Sequence, residues 1–218
     1  MTEIEAIMAR HSVRSYKDKI IEKEKIDQIN ELIARCNDEG NLHLQFCSDA
    51  GDTFNRLLSK AMGLASAPSV IACVGPDDDT VENRIGYYGE KIVLFAQQLG
   101  LNTCWAGTFN KKGVPAEIKP GEKLVISIAI GYGENQGKER KSKTIDQVAS
   151  GKNPDWFNYG AEMALLAPTA INQQSFEIKL ESDGTVTFKD KGGPFSKVDL
   201  GIVKYHFEAG ADYIKNNQ

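Results

Sequence analysis

The chain has 218 residues, with 26 Lys and Arg against 30 Asp and Glu, a formal charge of −4. With 41% hydrophobic and 26% charged residues it is no disordered, collagenous or coiled-coil chain, and a length suited to one α/β or α+β unit can bury roughly 70% of the unfolded surface. Mild acidity argues against a nucleic-acid partner, no apolar run approaches the roughly 20 residues of a membrane span, and the acidic start Met1–Glu5 predicts a cytoplasmic protein with no membrane partner.

In chain order, Thr2-Glu3-Ile4-Glu5 reads as a capping box, and Ile4, Ile7 and Met8 give a short first helix its apolar stripe. A polar link from Ser15 to Lys25 leads to a second helix carrying Ile26, Ile29, Leu32, Ile33 and Cys36 and stopped by Gly40. Leu42 to Phe46 alternates like a half-buried strand, a helix is predicted over Thr53 to Leu64, and Val70 to Val74 reads as a fully buried strand. The strongest helical pattern runs from Thr80 to Leu99 and is closed by Gly100. Strands follow over Leu101–Trp105 and Leu124–Ile130, then a polar, Gly-punctuated loop from Gly131 to Lys143. A helix over Asp155–Leu166 ends at Ala167-Pro168, Phe176–Leu180 and Thr185–Phe188 flank a hairpin turn, and a last helix covers Lys197 to Ile214. Alternating helices and strands with a late hairpin make a mixed α+β or α/β fold, with no linker to mark a second domain. A short echo relates Gly89–Ala96 to Gly201–Glu208, both on helices, and is too brief to be a repeat.

Cys36, Cys47, Cys73 and Cys104 show no C-x-x-C spacing, and His11, His43 and His206 are far apart. No metal site is read from them.

Four segments could carry chemistry. Arg10-His11-Ser12-Val13-Arg14-Ser15-Tyr16 packs two Arg and two Ser into a non-helical stretch suited to a phosphate or a carbonyl-rich ring edge; equally, it is a helix end carrying cations that favour its dipole. Ala167 to Phe176 places Pro168, Thr169, Ala170, Asn172 and Gln174 between a helix and a strand, where amides could read a ring offering donors and acceptors or could satisfy their own backbone. Gly100 to Thr108, with Trp105, Ala106 and Gly107, allows a flat ligand to approach the backbone, although Trp105 is as readily a packing residue. Lys138 to Lys143 is a basic run that could equally be a solvated face. Gly131-Tyr132-Gly133 lacks the spacing and the following helix of a dinucleotide-binding turn.

Taken together, these segments resemble the FMN-dependent nitroreductase family over most of the chain. Arg10 to Tyr16 is similar to its R-x-S-x-R-x-[YF] signature, Gly100 to Gly107 to its G-L-x-[ST]-C-W-x-G strand, Ile130 to Gly133 to its I-G-Y-P strand end, and Ala167 to Phe176 to its A-P-S-x-x-N-x-Q-P-W segment. That last segment usually comes early; here it sits at 167–176, as in a divergent nitroreductase subfamily, with Ser175 and Gly133 where the family has Pro.

The resemblance implies one domain over 1–218, a three-layer α-β-α sandwich with a mixed, mainly antiparallel central sheet, and a homodimer. It implies that Arg10, His11, Ser12 and Arg14 bind FMN, with Arg140, Lys141 or Lys143 completing the phosphate site. Pro168, Thr169, Ala170, Asn172 and Gln174 would meet the ring or ribityl chain, and Trp105 and the backbone near Ala106 and Gly107 would face flavin N5 and O4. No side chain is then needed as a nucleophile: hydride would pass from NAD(P)H through N5 to a small electrophilic acceptor, such as a nitroaromatic or quinone, with ping-pong kinetics. A flavin-binding protein without turnover, a dehalogenase or ene-reductase relative, and a scaffold whose Arg and Asn clusters are structural are the alternatives.

Overall fold

The computed structural model describes residues 1–55, 57–61, 63–151 and 154–217. In chain order the helices are α1 (Glu3–Ala9), α2 (Lys23–Gly40), α3 (Leu57–Ala61), α4 (Val81–Gln98), α5 (Ile145–Val148), α6 (Asp155–Leu165) and α7 (Ser196–Asn216). The strands are β1 (His43–Cys47), β2 (Ser69–Pro76), β3 (Asn102–Ala106), β4 (Glu122–Gly131), β5 (Ala149–Gly151), β6 (Phe176–Leu180) and β7 (Val186–Asp190). The class is α+β, as the sequence predicts, with the strands divided between a four-stranded and a three-stranded sheet.

Most elements form where local chemistry places them. The Thr2 hydroxyl accepts the Glu5 N–H while Glu5 Oε2 accepts the Thr2 N–H, which is the predicted capping box. Helix α2 runs one residue further than expected of a glycine stop: Gly40 is its last residue, and Asn41 takes the left-handed conformation at φ 48°. The helix expected over Thr53 to Leu64 is cut to Leu57–Ala61 and a 3-10 turn at Leu64–Ser66; positions 56 and 62 lie outside the described residues. Before it, Asp49 accepts the Gly51 N–H and Asp52 accepts from Asn55, turn bonds that compete with a helix. After it, Gly63 sits at φ +85°, where the helix cannot continue. Thr144 and Gln147 make a capping box that starts the short α5, an element too brief for periodicity to reveal.

By its contacts the chain divides into two compact units, one of residues 10–81 and 92–139 and one of 1–9, 82–91 and 140–218. The first holds the antiparallel sheet β1-β2-β4-β3. Its β2 is buried from Ser69 to Gly75, as a continuous apolar run requires of an inner strand. Val13, Tyr16, Phe54, Leu64, Val70, Val74, Phe109 and Leu124 belong to its core. Cys36, Cys73 and Cys104 are buried free thiols and Cys47 is partly buried, so they pack as small hydrophobes.

The second unit packs α7 against α6, with the Phe157 and Phe207 rings 5.5 Å apart. Its small sheet pairs β5 parallel to β6 and β6 antiparallel to β7, the predicted hairpin. Within this unit the residues of α4 from Glu82 to Lys91 cross α7 with no room for side chains. A Cβ built on Gly86 would fall on the Val198 carbonyl oxygen, and one on Gly201 would fall on that of Asn83. The glycine that faces Gly201 is therefore Gly86, three residues before the Gly89 of the sequence echo. One turn further along, His206 Nε2 meets Glu90 Oε1 at 2.8 Å and its Nδ1 meets the Met163 carbonyl at 3.1 Å. Both residues are fully buried. A carbonyl only accepts, so Nδ1 carries a proton, and the Nε2–Glu90 bond needs a second proton on one side or the other.

Among the described residues no helix is long and apolar enough to cross a membrane. Either Gly86→Ala or Gly201→Ala is expected to lower the unfolding free energy by about 2–3 kcal/mol, because the added methyl must push two backbones apart. Urea denaturation measures this, and an unchanged midpoint would rule out so close a crossing.

Candidate functional site

In the first unit, Arg10 to Lys17 runs along β3 and the end of β4. Ser12 bridges to Thr103, the Val13 N–H donates to the Thr103 carbonyl at 3.0 Å, and Lys17 N–H donates to the Tyr132 carbonyl at 2.8 Å. Tyr16 anchors the segment from beneath, its hydroxyl donating to the Val13 carbonyl at 2.7 Å. Gly133, read from sequence as a departure from Pro, uses its N–H to donate to Asn102 Oδ1 at 3.0 Å, a bond proline could not make.

This places Arg10, Ser12 and Arg14 around Cys104. Burial pushes the Cys104 thiol up, against the opposing pull of Arg14, Arg10 and Ser12. Arg10 is buried and Arg14 exposed, while His11 lies beneath the Gly137 turn, where a Cβ at 137 would strike it. Trp105 is half-buried and Ala106 buried, and the Ala106 carbonyl accepts from Ser127 Oγ. Gly107 is the first residue past β3. A cavity of about 430 Å³ opens there, lined by Gly107 to Lys112.

In the second unit, residues 140–143 of the basic run and the Ala-Pro-Thr segment are bound together. Arg140 donates to the carbonyls of Leu166 and Ala167 at 2.7 and 2.5 Å, so it caps the end of α6 just before Pro168. Gln174 is only 2% exposed. Its amide nitrogen donates to the Leu165 carbonyl and Ser142 Oγ, its amide oxygen accepts the Lys143 N–H, and its own carbonyl accepts Lys143 Nζ. Thr169 Oγ1 accepts the Gln174 N–H at 3.1 Å. Asn172 Nδ2 donates to the Lys141 carbonyl at 2.7 Å, which leaves its Oδ1 buried with no partner among the described residues.

The turn so held is strained. Ile171, Asn172 and Gln174 have φ of 47°, 57° and 43°, each a left-handed non-glycine position costing roughly 1–3 kcal/mol. Ile171 is the sharpest case, being β-branched and 86% exposed. The bond set across the turn ends on a residue that sequence reasoning missed. Asp199, in the first turn of α7, accepts the Ala170 N–H with both carboxylate oxygens at 3.0 Å and the Gln173 Nε2 at 2.7 Å. An acid in a first helical turn is commonplace, so nothing in the sequence distinguished it.

Residues 3–211 match the model of a family described as "Putative TM nitroreductase". A putative nitroreductase from Thermotoga maritima superposes with a TM-score of 0.69 at 27% identity, over 99% of this chain and 86% of that one. An FMN-dependent nitroreductase from Clostridium difficile superposes over 66% of this chain and 94% of its own, with a TM-score of 0.50 and 21% identity. A nitroreductase family protein from Streptococcus pneumoniae does so over 69% and 100%, with a TM-score of 0.58 and 13% identity. At such identity the last two share the fold alone. No curated protein matches the chain.

Asp199 has a measurable signature. It is 7% exposed, and burial pushes its carboxyl up to about 6, against the bonds from Gln173 and Ala170 that favour the anion; the carboxylate of Asp190 raises it further. A carboxyl raised on folding holds its proton more tightly in the folded state. Its contribution to stability is therefore greatest below about pH 4 and is lost as pH climbs to about 6, a change of about 2–3 kcal/mol. Between pH 4 and 7 the unfolding free energy of Asp199→Asn is expected to improve by that amount relative to wild type. Parallel profiles for the two proteins in urea titrations would contradict this placement of the carboxylate.

Proposed function

Because the chain belongs to the "Putative TM nitroreductase" family, a family of oxidoreductases, we propose that it is an FMN-dependent enzyme. It takes hydride from NAD(P)H and delivers it to a small electrophilic acceptor of the nitroaromatic or quinone kind. The observation that carries this reading is Asn172 Oδ1, a buried acceptor without a partner on a strained turn. A buried acceptor left unpaired is costly. The pyrimidine edge of a flavin offers a complement, a ring N–H flanked by carbonyls.

The remaining donors suit the same ligand. Arg10, Ser12 and Arg14 are proposed to hold phosphate and ring carbonyls, since charge-assisted bonds are strongest toward a group bearing nearly two charges. Lys141 is a proposed phosphate contact, as is Lys143 through the donors left over from its bond to the Gln174 carbonyl, and Trp105, Ala106 and Gly107 are proposed to meet the ring. Arg140 and Gln174 are already engaged within the chain, so their role is to hold Pro168, Thr169 and Asn172 in place. When bound, FMN supplies two-electron hydride transfer at N5. The chain itself binds and orients the reactants, and a cation near the pyrimidine edge favours the reduced, anionic ring.

The purified protein is expected to be yellow, to release FMN on denaturation, and to bleach when NADH or NADPH is added without oxygen. Reoxidation by a panel of nitroaromatics and quinones then ranks acceptors. A colourless protein that takes up no FMN would end this reading. Asn172→Ala is expected to weaken FMN binding about tenfold, the worth of one buried hydrogen bond, and Arg14→Ala to weaken it further; unchanged affinity in both would sever these residues from the ligand. The active form is proposed to be a homodimer, so light scattering is expected to give twice 24.0 kDa. A monomer mass would refute that.

A further inference from the structure

We propose that Asp199 is the positioning residue of the flavin site: from the start of α7 its carboxylate fixes both ends of the strained turn that presents Asn172 Oδ1. This rests on the FMN reading of that turn given above.

The geometry is specific. The carboxylate takes the N–H of Ala170 and the amide of Gln173, which donates at the same time to the Pro194 carbonyl at 2.9 Å. Between these two anchored residues lie only Ile171 and Asn172, both left-handed. Glycine is the ordinary occupant of such positions, and a β-branched residue the least suited. Fixing Ala170 and Gln173 to one group removes the relaxation by which Ile171 would return to an ordinary conformation, which would rotate the Asn172 amide away from the Lys141 carbonyl.

The clamp is unfavourable to the fold in its own right. The charge is buried, and the charged group that acts on it is another acid, Asp190 on β7, which itself accepts the Ser196 hydroxyl at 2.8 Å and the Gly192 N–H at 2.6 Å. The groups that act on Asp199 are Ala170 and Gln173 of the turn and Asp190 at the end of β7. An amide of the same shape would spare the fold this buried charge. A carboxylate is retained because two donors converge on it, and an amide must turn an N–H2 toward one of them.

The test measures flavin affinity by fluorescence quenching in wild type and Asp199→Asn, with FMN and with riboflavin, which lacks a titrating phosphate. In wild type, riboflavin affinity is expected to fall about tenfold from pH 7.5 to pH 5, as the carboxylate takes up its proton. In Asp199→Asn it is expected to be weaker at pH 7.5 by a similar factor and flat with pH, while the thermal midpoint of the flavin-free variant at pH 7.5 stays at or above that of wild type. Equal affinity in the two proteins, equal pH profiles, or a lowered midpoint in the variant would each overturn the proposal, the last by making Asp199 a structural residue. Wild type that binds neither flavin at any pH would instead defeat the FMN reading itself.

Discussion

The candidate site depends on a backbone constraint: three of four consecutive residues, Ile171, Asn172 and Gln174, are non-glycine residues in the left-handed region. Such a turn persists only where its surroundings over-determine it. Here the surroundings are a closed set of bonds. Gln174 joins the turn to residues 142–143 and to the end of α6, Arg140 ties down the carbonyls before Pro168, and Asp199 holds Ala170 and Gln173. The buried amide of Gln174 and the side chains of Thr169 and Gln173 are engaged in this scaffold. Among the buried side-chain polar atoms of this segment, Asn172 Oδ1 is the one with no partner among the described residues, and the proposed flavin contact rests on that contrast.

The same logic runs through the second unit as a whole. Helix α7 supplies Asp199 from its first turn, and two residues on it carries Gly201, whose missing Cβ lets it approach α4 to backbone contact. Further along, His206 buries its ring against Glu90 and the Met163 carbonyl. The crossing and the buried His206–Glu90 bond fix where α7 begins, and so where its first-turn carboxylate lies. Such buried pairs contribute position more reliably than stability.

In the first unit a comparable task is done by strand edges. Arg10 to Lys17 has no regular structure of its own beyond isolated bridges, yet Thr103, Tyr132 and the Tyr16 hydroxyl fix its backbone. Arg10 and Arg14 thereby reach the neighbourhood of a buried thiol, where a cation's field is less screened than in water. The Ala-Pro-Thr segment, displaced to 167–176, keeps its own local anchoring in the second unit.

The sequence by itself determined the helices and strands with strong periodicity, the α+β class, and the identity of the basic and amide-bearing segments, because these rest on side-chain spacing and capping chemistry within a few residues. It overextended the helix after Thr53, where Asp49, Asp52 and Gly63 impose turns, and passed over α5, which is a single turn. Only the tertiary structure decided which candidate residues are spent on holding the backbone, and that the buried acceptor Asn172 Oδ1 has no partner among the described residues. Arg140 and Gln174 look in sequence like ligand contacts and are engaged with backbone, whereas Asp199 looks like an ordinary first-turn acid and clamps a turn 29 residues away. Hydrogen-bond satisfaction is a property of what surrounds a group in space, and residues distant along the chain supply that surrounding only once it has folded.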